Sequence, residues 1–188
     1  MALLPISTGS YANFRTDALI RAMDGLGYNV DDTYGYQCWD LAAELWQNIG
    51  FGGGYPQTGP NSYAMECWTV SRDINKGDKF YLITRKSDLK IGDVIVLGVS
   101  SISDTGHIAF CDENYNGTDN MDLLGQNQVN PNLTTGHIPT VTNIDISAFL
   151  GAFRYKEWND APVPPSPTSS RRSKFPWVLY ARKLRNRR

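Results

Sequence analysis

The clearest periodic signal in this chain lies at residues 38–50. Leu41, Leu45, Trp46 and Ile49 recur there at the spacing of one helical face. The pattern predicts an amphipathic helix that opens at Cys38 or Trp39 and is stopped by Gly50. Upstream, Thr16 suits the N-cap of a helix carrying Ala18, Leu19, Ala22 and Met23, with Gly25 and Gly27 as its stop. A third helix is expected over residues 61–70. Beyond it the period shortens, and residues 94–99, 107–112, 121–126 and 152–157 read as short strands separated by turn residues. Helices first and strands afterwards predict an α+β domain with N-terminal helices packed on an antiparallel sheet.

Composition bounds this picture. The 188 residues are 41% hydrophobic and 20% charged, which suits one medium globular domain with a short appendage. No stretch approaches the roughly 20 consecutive apolar residues of a membrane span. The start, Met1 to Ile6, has no basic flank and too short an apolar run for a secretory signal. Residues 161–170 hold four prolines among small and polar residues, the composition of an extended linker. The expected organisation is therefore a globular domain over 1–160, a linker over 161–170 and a tail over 171–188.

Net charge is -1, but it is unevenly spread. Of 18 Lys and Arg, eight lie in residues 171–188, leaving ten against 19 acids, so the body carries -9. In the tail, Pro176 suits the first turn of a helix whose Trp177, Tyr180, Ala181 and Leu184 share a face opposed by arginines. Such a segment fits an anionic cell-envelope polymer, lipid headgroups, nucleic acid or a protein partner, with a merely solubilising tail as the rival. Three cysteines without metal-type spacing argue against a disulfide framework and a zinc site alike. Cys67 and Cys111 are expected to be buried free thiols.

Cys38 differs from them because it sits between a turn and the first residue of a helix. Backbone N–H groups and the positive end of the helix dipole stabilise a thiolate there, and the thiolate is the attacking species in acyl transfer. Gly106-His107-Ile108-Ala109-Phe110 follows the apolar run 94–97 and places a histidine at the opening of a strand. Cysteine, then histidine some 70 residues later, then a polar residue about 20 further on is an order a thiol hydrolase can use. His137 has no comparable context and reads as a loop residue. Trp39, Trp46, Tyr55, Tyr63 and Trp68 read mostly as core, with one or two left to line a cleft.

Four segments carry a resemblance. Tyr-Gly-Tyr-Gln-Cys-Trp-Asp-Leu-Ala (34–42), Gly-Asp-Val-Ile-Val (92–96), Gly-His-Ile-Ala-Phe (106–110) and Leu-Leu-Gly-Gln-Asn (123–127) occur in that order. Together they resemble the CHAP family, the cysteine, histidine-dependent amidohydrolases/peptidases, over about residues 28–158. The likeness is to phage endolysins and related cell-wall hydrolases. It implies a papain-like fold and cleavage of an amide bond in bacterial peptidoglycan, as an N-acetylmuramoyl-L-alanine amidase or a peptide-bridge endopeptidase. By motif, Cys38 is the expected nucleophile, His107 the general base and Asn127 the residue that orients the imidazole. Family members often carry a glutamate two positions before this asparagine, where this chain has Gly125. Glu113 and Asp122 are the lesser substitutes for an orienting group. The oxyanion is expected to meet the Cys38 backbone N–H, with Gln37 as second donor.

The same resemblance implies calcium, held by Asn29, Asp31, the Thr33 and Gly35 carbonyls, and Asp40. Asn29 stands where the family pattern has an aspartate, so one charge is missing. Such a protein is expected to be made in a host cytoplasm and to reach the wall by holin-dependent release or as a virion component. The alternative from a different class is a catalytically idle CHAP-like structural or wall-binding component, which Gly125 supports.

Overall fold

The computed structural model describes residues 23–48, 56–74, 79–131 and 134–156. The expected Thr16 helix (Met23 apart), Tyr55, the linker and the basic tail lie outside these residues. Among the described residues two α-helices, α1 (Cys38–Asn48) and α2 (Glu66–Ile74), precede six strands: β1 (Phe80–Ile83), β2 (Val94–Leu97), β3 (His107–Cys111), β4 (Asn120–Gly125), β5 (Thr140–Asp145) and β6 (Phe149–Tyr155). The strands form one sheet in the order β1-β6-β2-β3-β4-β5, every neighbouring pair antiparallel. This is the α+β arrangement expected, with helices packed on an antiparallel sheet. Among the described residues no helix is long and apolar enough to cross a membrane.

Both helices start where an acidic side chain reaches back to a backbone N–H that the helix leaves unpaired. In α1 the Asp40 carboxylate accepts from the Gln37 N–H at 3.0 Å. In α2 the Glu66 carboxylate accepts from the Tyr63 N–H at 3.1 Å and from the Asn61 amide at 2.7 Å. That second cap moves the third expected helix, placed at 61–70, to 66–74. Leu41, Ala42, Ala43, Leu45 and Trp46 are all buried, as the periodicity of α1 requires.

Strand alternation divides the core in two. Val94, Val96, Ile108, Phe110, Leu124 and Phe153 face the helices and pack with Leu41, Leu45, Trp46, Cys67 and Trp68. Ile95, Leu97, Ala109, Cys111, Leu123 and Ala152 face the other way, against Leu89, Met121, Ile144 and Ile146. β2 and β3 are buried on both faces, which is why they read as continuous apolar runs. Cys67 and Cys111 are free and fully buried, as their sequence context indicated.

Two strands escape the sequence pattern. β1 is a four-residue apolar run at the sheet edge, too short to show a period. β5, Thr-Val-Thr-Asn-Ile-Asp, is mostly exposed and is held by its ladder to β4 rather than by burial. The last strand also begins three residues earlier than expected, at Phe149.

Aromatic rings bind the helices to the sheet. Trp46 stacks on Phe80 at 4.6 Å between centroids and meets Phe153 edge-on at 5.7 Å. Trp68 meets Phe153 at 5.3 Å and lies so close to β6 that a Cβ at Gly151 would collide with its indole ring. Gly151→Ala should therefore destabilise the fold by about 1–3 kcal/mol through overpacking. Urea unfolding measures it; an unchanged midpoint would show that Trp68 is not confined by β6.

Candidate active site

Cys38 opens α1, and its immediate approach is held by polar contacts. The Asp40 carboxylate accepts from the Val30 N–H at 2.7 Å as well as from Gln37, joining the preceding loop to the first helical turn. From the sheet, Gln126 at the end of β4 accepts from the Tyr28 N–H at 2.7 Å. It donates to the carbonyls of Tyr28 at 2.9 Å and Gln37 at 2.7 Å. The Asn127 amide donates to Gln37 Oε1 at 2.7 Å, and the Gln37 amide donates to the Tyr34 carbonyl at 2.6 Å. The residue before the cysteine is thus fixed at its backbone and its side chain by two consecutive amides.

The sulfur faces the N–H groups of Ile108, Trp39 and Cys38 itself. Ile108 directly follows His107, so the start of β3 meets the start of α1 at this atom. Cys38 is partly buried as a residue, and burial dominates its acidity. It pushes the thiol up to about 11, against the lowering effect of the three N–H groups and with a small further rise from the Asp40 charge. This corrects the thiolate expected from the helix start alone: desolvation outweighs the helix N-terminus.

His107 is buried, and burial pushes its imidazole down to about 4. Its Nε2 lies 3.2 Å from Gln128 Oε1. The Gln128 amide nitrogen donates to the Leu123 carbonyl at 2.9 Å and the Thr140 carbonyl at 2.6 Å, which uses both of its hydrogens. The amide orientation follows from those two bonds, so Oε1 must be the atom that faces the ring. An oxygen there can only accept, so Nε2 carries a proton and Nδ1 is the nitrogen that gains or loses one.

The group at the imidazole is therefore Gln128, in place of the expected Asn127. Asn127 has a left-handed backbone with φ of 53°, takes the His137 carbonyl on its N–H at 3.1 Å, and sets Oδ1 3.3 Å from His137 Nδ1. The left-handed residue interrupts strand alternation, so Gln126 and Gln128 serve different neighbours. Gly125 explains the choice of residue: a Cβ there would collide with Gln128 Oε1 and lie 3.0 Å from His107 Nε2. Glu113 and Asp122 are committed elsewhere, Glu113 to the Asp122 N–H at 2.9 Å and Asp122 to the Asn143 amide at 2.8 Å. Sequence reading missed Gln126 and Gln128. The signal was present as three successive amide side chains behind a glycine at a strand end.

The loop expected to hold calcium wraps the Asp40 side of the site. Asp31 Oδ1 accepts from the Thr33 N–H at 2.8 Å, and Asp32, Tyr34 and Gly35 all have positive φ. Asn29 Oδ1 is buried and has no hydrogen-bond partner. Burial pushes the Asp40 carboxyl up to about 6; the Val30 and Gln37 N–H groups oppose this, and the Asp31 charge adds to it. An unpartnered amide oxygen and an Asp40 carboxyl raised by the Asp31 charge, in one loop and the helix it meets, are the kind of oxygen donors a hard cation takes. Among the described residues, no three His, Cys, Asp or Glu side chains converge as metal ligands do, so the set would rest on two carboxylates, one amide and carbonyls.

No protein-family model matches the chain, nor does any curated protein. Among solved structures it is similar to the crystal structure of the wild-type endolysin LysIME-EF1, with a TM-score of 0.59 at 19% identity over 83% of this chain and 67% of that one. Ly7917, free and with the hydrolyzing product of MDP, matches at a TM-score of 0.48 and 17% identity over 80% of this chain and 63% of that one. What is shared with LysIME-EF1 is the fold.

The ionisation of His107 can be read directly, because the chain has only two histidines. With a folded value near 4 against 6.5 unfolded, this ring favours the fold above pH 6.5, and that contribution is lost as the pH falls toward 4. Histidine NMR should find the His107 ring neutral down to about pH 4. Titration close to 6.5 would mean that the ring is not desolvated.

Proposed function

We propose that the chain is a peptidoglycan hydrolase that cleaves an amide bond by thiol chemistry, as a muramoyl-alanine amidase or a peptide-bridge endopeptidase of the phage endolysin kind. One observation carries this reading. The Cys38 sulfur lies against the N–H that follows His107, and the Gln126–Gln128 segment holds both the residue before the cysteine and the imidazole. The CHAP-like motifs and the shared fold with an endolysin supply the substrate class.

Burial keeps thiol and imidazole neutral at rest, so the sulfur loses its proton to His107 Nδ1 as it attacks the amide carbon, not beforehand. The tetrahedral oxyanion is stabilised by the Cys38 backbone N–H; Gln37, the second donor expected from sequence, has its backbone N–H on Asp40 and its amide on the Tyr34 carbonyl and Asn127. The imidazolium then protonates the leaving amine, a thioester remains on Cys38, and water activated by the same ring hydrolyses it. The eight cations of the tail support contact with anionic envelope polymers around the substrate. Gly125, the feature that favours an idle domain, loses its weight because a neighbouring amide occupies the acceptor position.

Turbidity loss of purified Gram-positive cell walls tests the reading. Cys38→Ala should lower the lysis rate on the order of a thousand-fold or more while leaving the melting transition in place. Undiminished lysis by the variant would exclude the thiol mechanism, and inert wild-type protein would favour the idle domain.

Calcium is proposed to bind Asn29, Asp31, Asp40 and the Thr33 and Gly35 carbonyls, where it would neutralise the loop and brace the helix start. The Asp40 carboxyl is raised in the folded state above its 3.8 reference, so its contribution is full below pH 4 and lost as the pH rises through about 6. A bound cation removes that loss. Added calcium should thus raise the melting temperature more at pH 7 than at pH 5, and a chelator should reverse the gain. Indifference to both treatments would exclude the site.

A further inference from the structure

We propose that Gln128 is the positioning residue of His107, a role that Gly125 makes possible by leaving the space a side chain would fill. The inference rests on the thiol mechanism for its consequence, but its geometry stands alone. Gln128 is buried at 5% exposure and contributes three hydrogen bonds of fixed sense. It donates to the carbonyls of Leu123 in β4 and Thr140 in β5, and it accepts from His107 Nε2 at the start of β3. The amide is therefore anchored on two strands and presents one oxygen to a third.

Only an amide of this length satisfies all three partners. A carboxylate at 128 would set an oxygen against two carbonyl oxygens, with nothing to donate to either. A leucine would fill the volume but remove the hydrogen bonds to both carbonyls and to Nε2. The consequence for His107 is tautomeric and orientational. With Nε2–H held by Gln128, the ring cannot spin, and Nδ1 keeps its lone pair for the thiol proton. This also accounts for the missing glutamate. A side chain at 125 and the Gln128 amide compete for one space, so a chain that uses Gln128 must have glycine there.

The test combines histidine NMR with wall lysis. In the wild type, nitrogen shifts should show His107 as the Nε2–H tautomer, with His137 as the internal control. Gln128→Leu should relax that preference and lower the lysis rate on the order of ten- to a thousand-fold. Gly125→Ala should act in the same direction by pushing Oε1 off the ring while leaving residue 128 intact, so it decides the matter if Gln128→Leu does not fold. Gly125→Glu alone should also be impaired, whereas combined with Gln128→Ala it should recover lysis, with the acid limb of the pH profile moved upward by the new carboxylate. Both single variants, Gln128→Leu and Gly125→Ala, retaining the wild-type tautomer and lysis rate would overturn the proposal. If wild-type protein lyses no walls, the hydrolase reading fails while the tautomer measurement still decides the role of Gln128.

Discussion

Everything at the site depends on the polar segment Gly125–Gln128, where β4 leaves the sheet. Three consecutive amides there are each at most 6% exposed, and buried amides must find partners or cost the fold several kcal/mol in lost hydration. Gln126 and Asn127 find theirs on the approach to α1, and Gln128 finds its own on two strands and an imidazole. A network in which each member is held by two or three others has one geometry. The same condition that lets these residues be buried therefore also holds both the residue before Cys38 and the His107 ring.

Two effects compete over the charge of that pair. A helix N-terminus and three backbone N–H groups pull the thiol toward ionisation, and burial pushes it and the imidazole toward neutrality. Burial wins, because α1 and β3 meet through the aliphatic and aromatic core rather than across water. A neutral resting thiol is protected from oxidation and adventitious alkylation, since the thiolate is the reactive form.

The departure at Gly125 illustrates how a position can look defective in sequence and be complete in space. Where the resembled motif has a carboxylate this chain has glycine, and an amide three residues later faces the His107 ring after the chain turns at Asn127. The Asp40 loop has a related logic. Its carboxylate caps α1 and gathers the loop amides, and it does so at the expense of its own ionisation beside Asp31.

Local pattern alone determined α1, β2, β3 and most of β4, because each has either a 3.6-residue stripe or an apolar run bounded by turns. It also placed Cys38 at a helix start and His107 at a strand start. β1 and β5 were illegible for opposite reasons: one is too short to carry a period, and the other is an exposed edge held by ladder bonds that composition does not record. Which amide faces His107 was decided only in three dimensions. Strand alternation assigns side-chain directions as far as Gly125, but the left-handed backbone at Asn127 cancels that rule, and the space beside the ring is set by the absent side chain of a glycine.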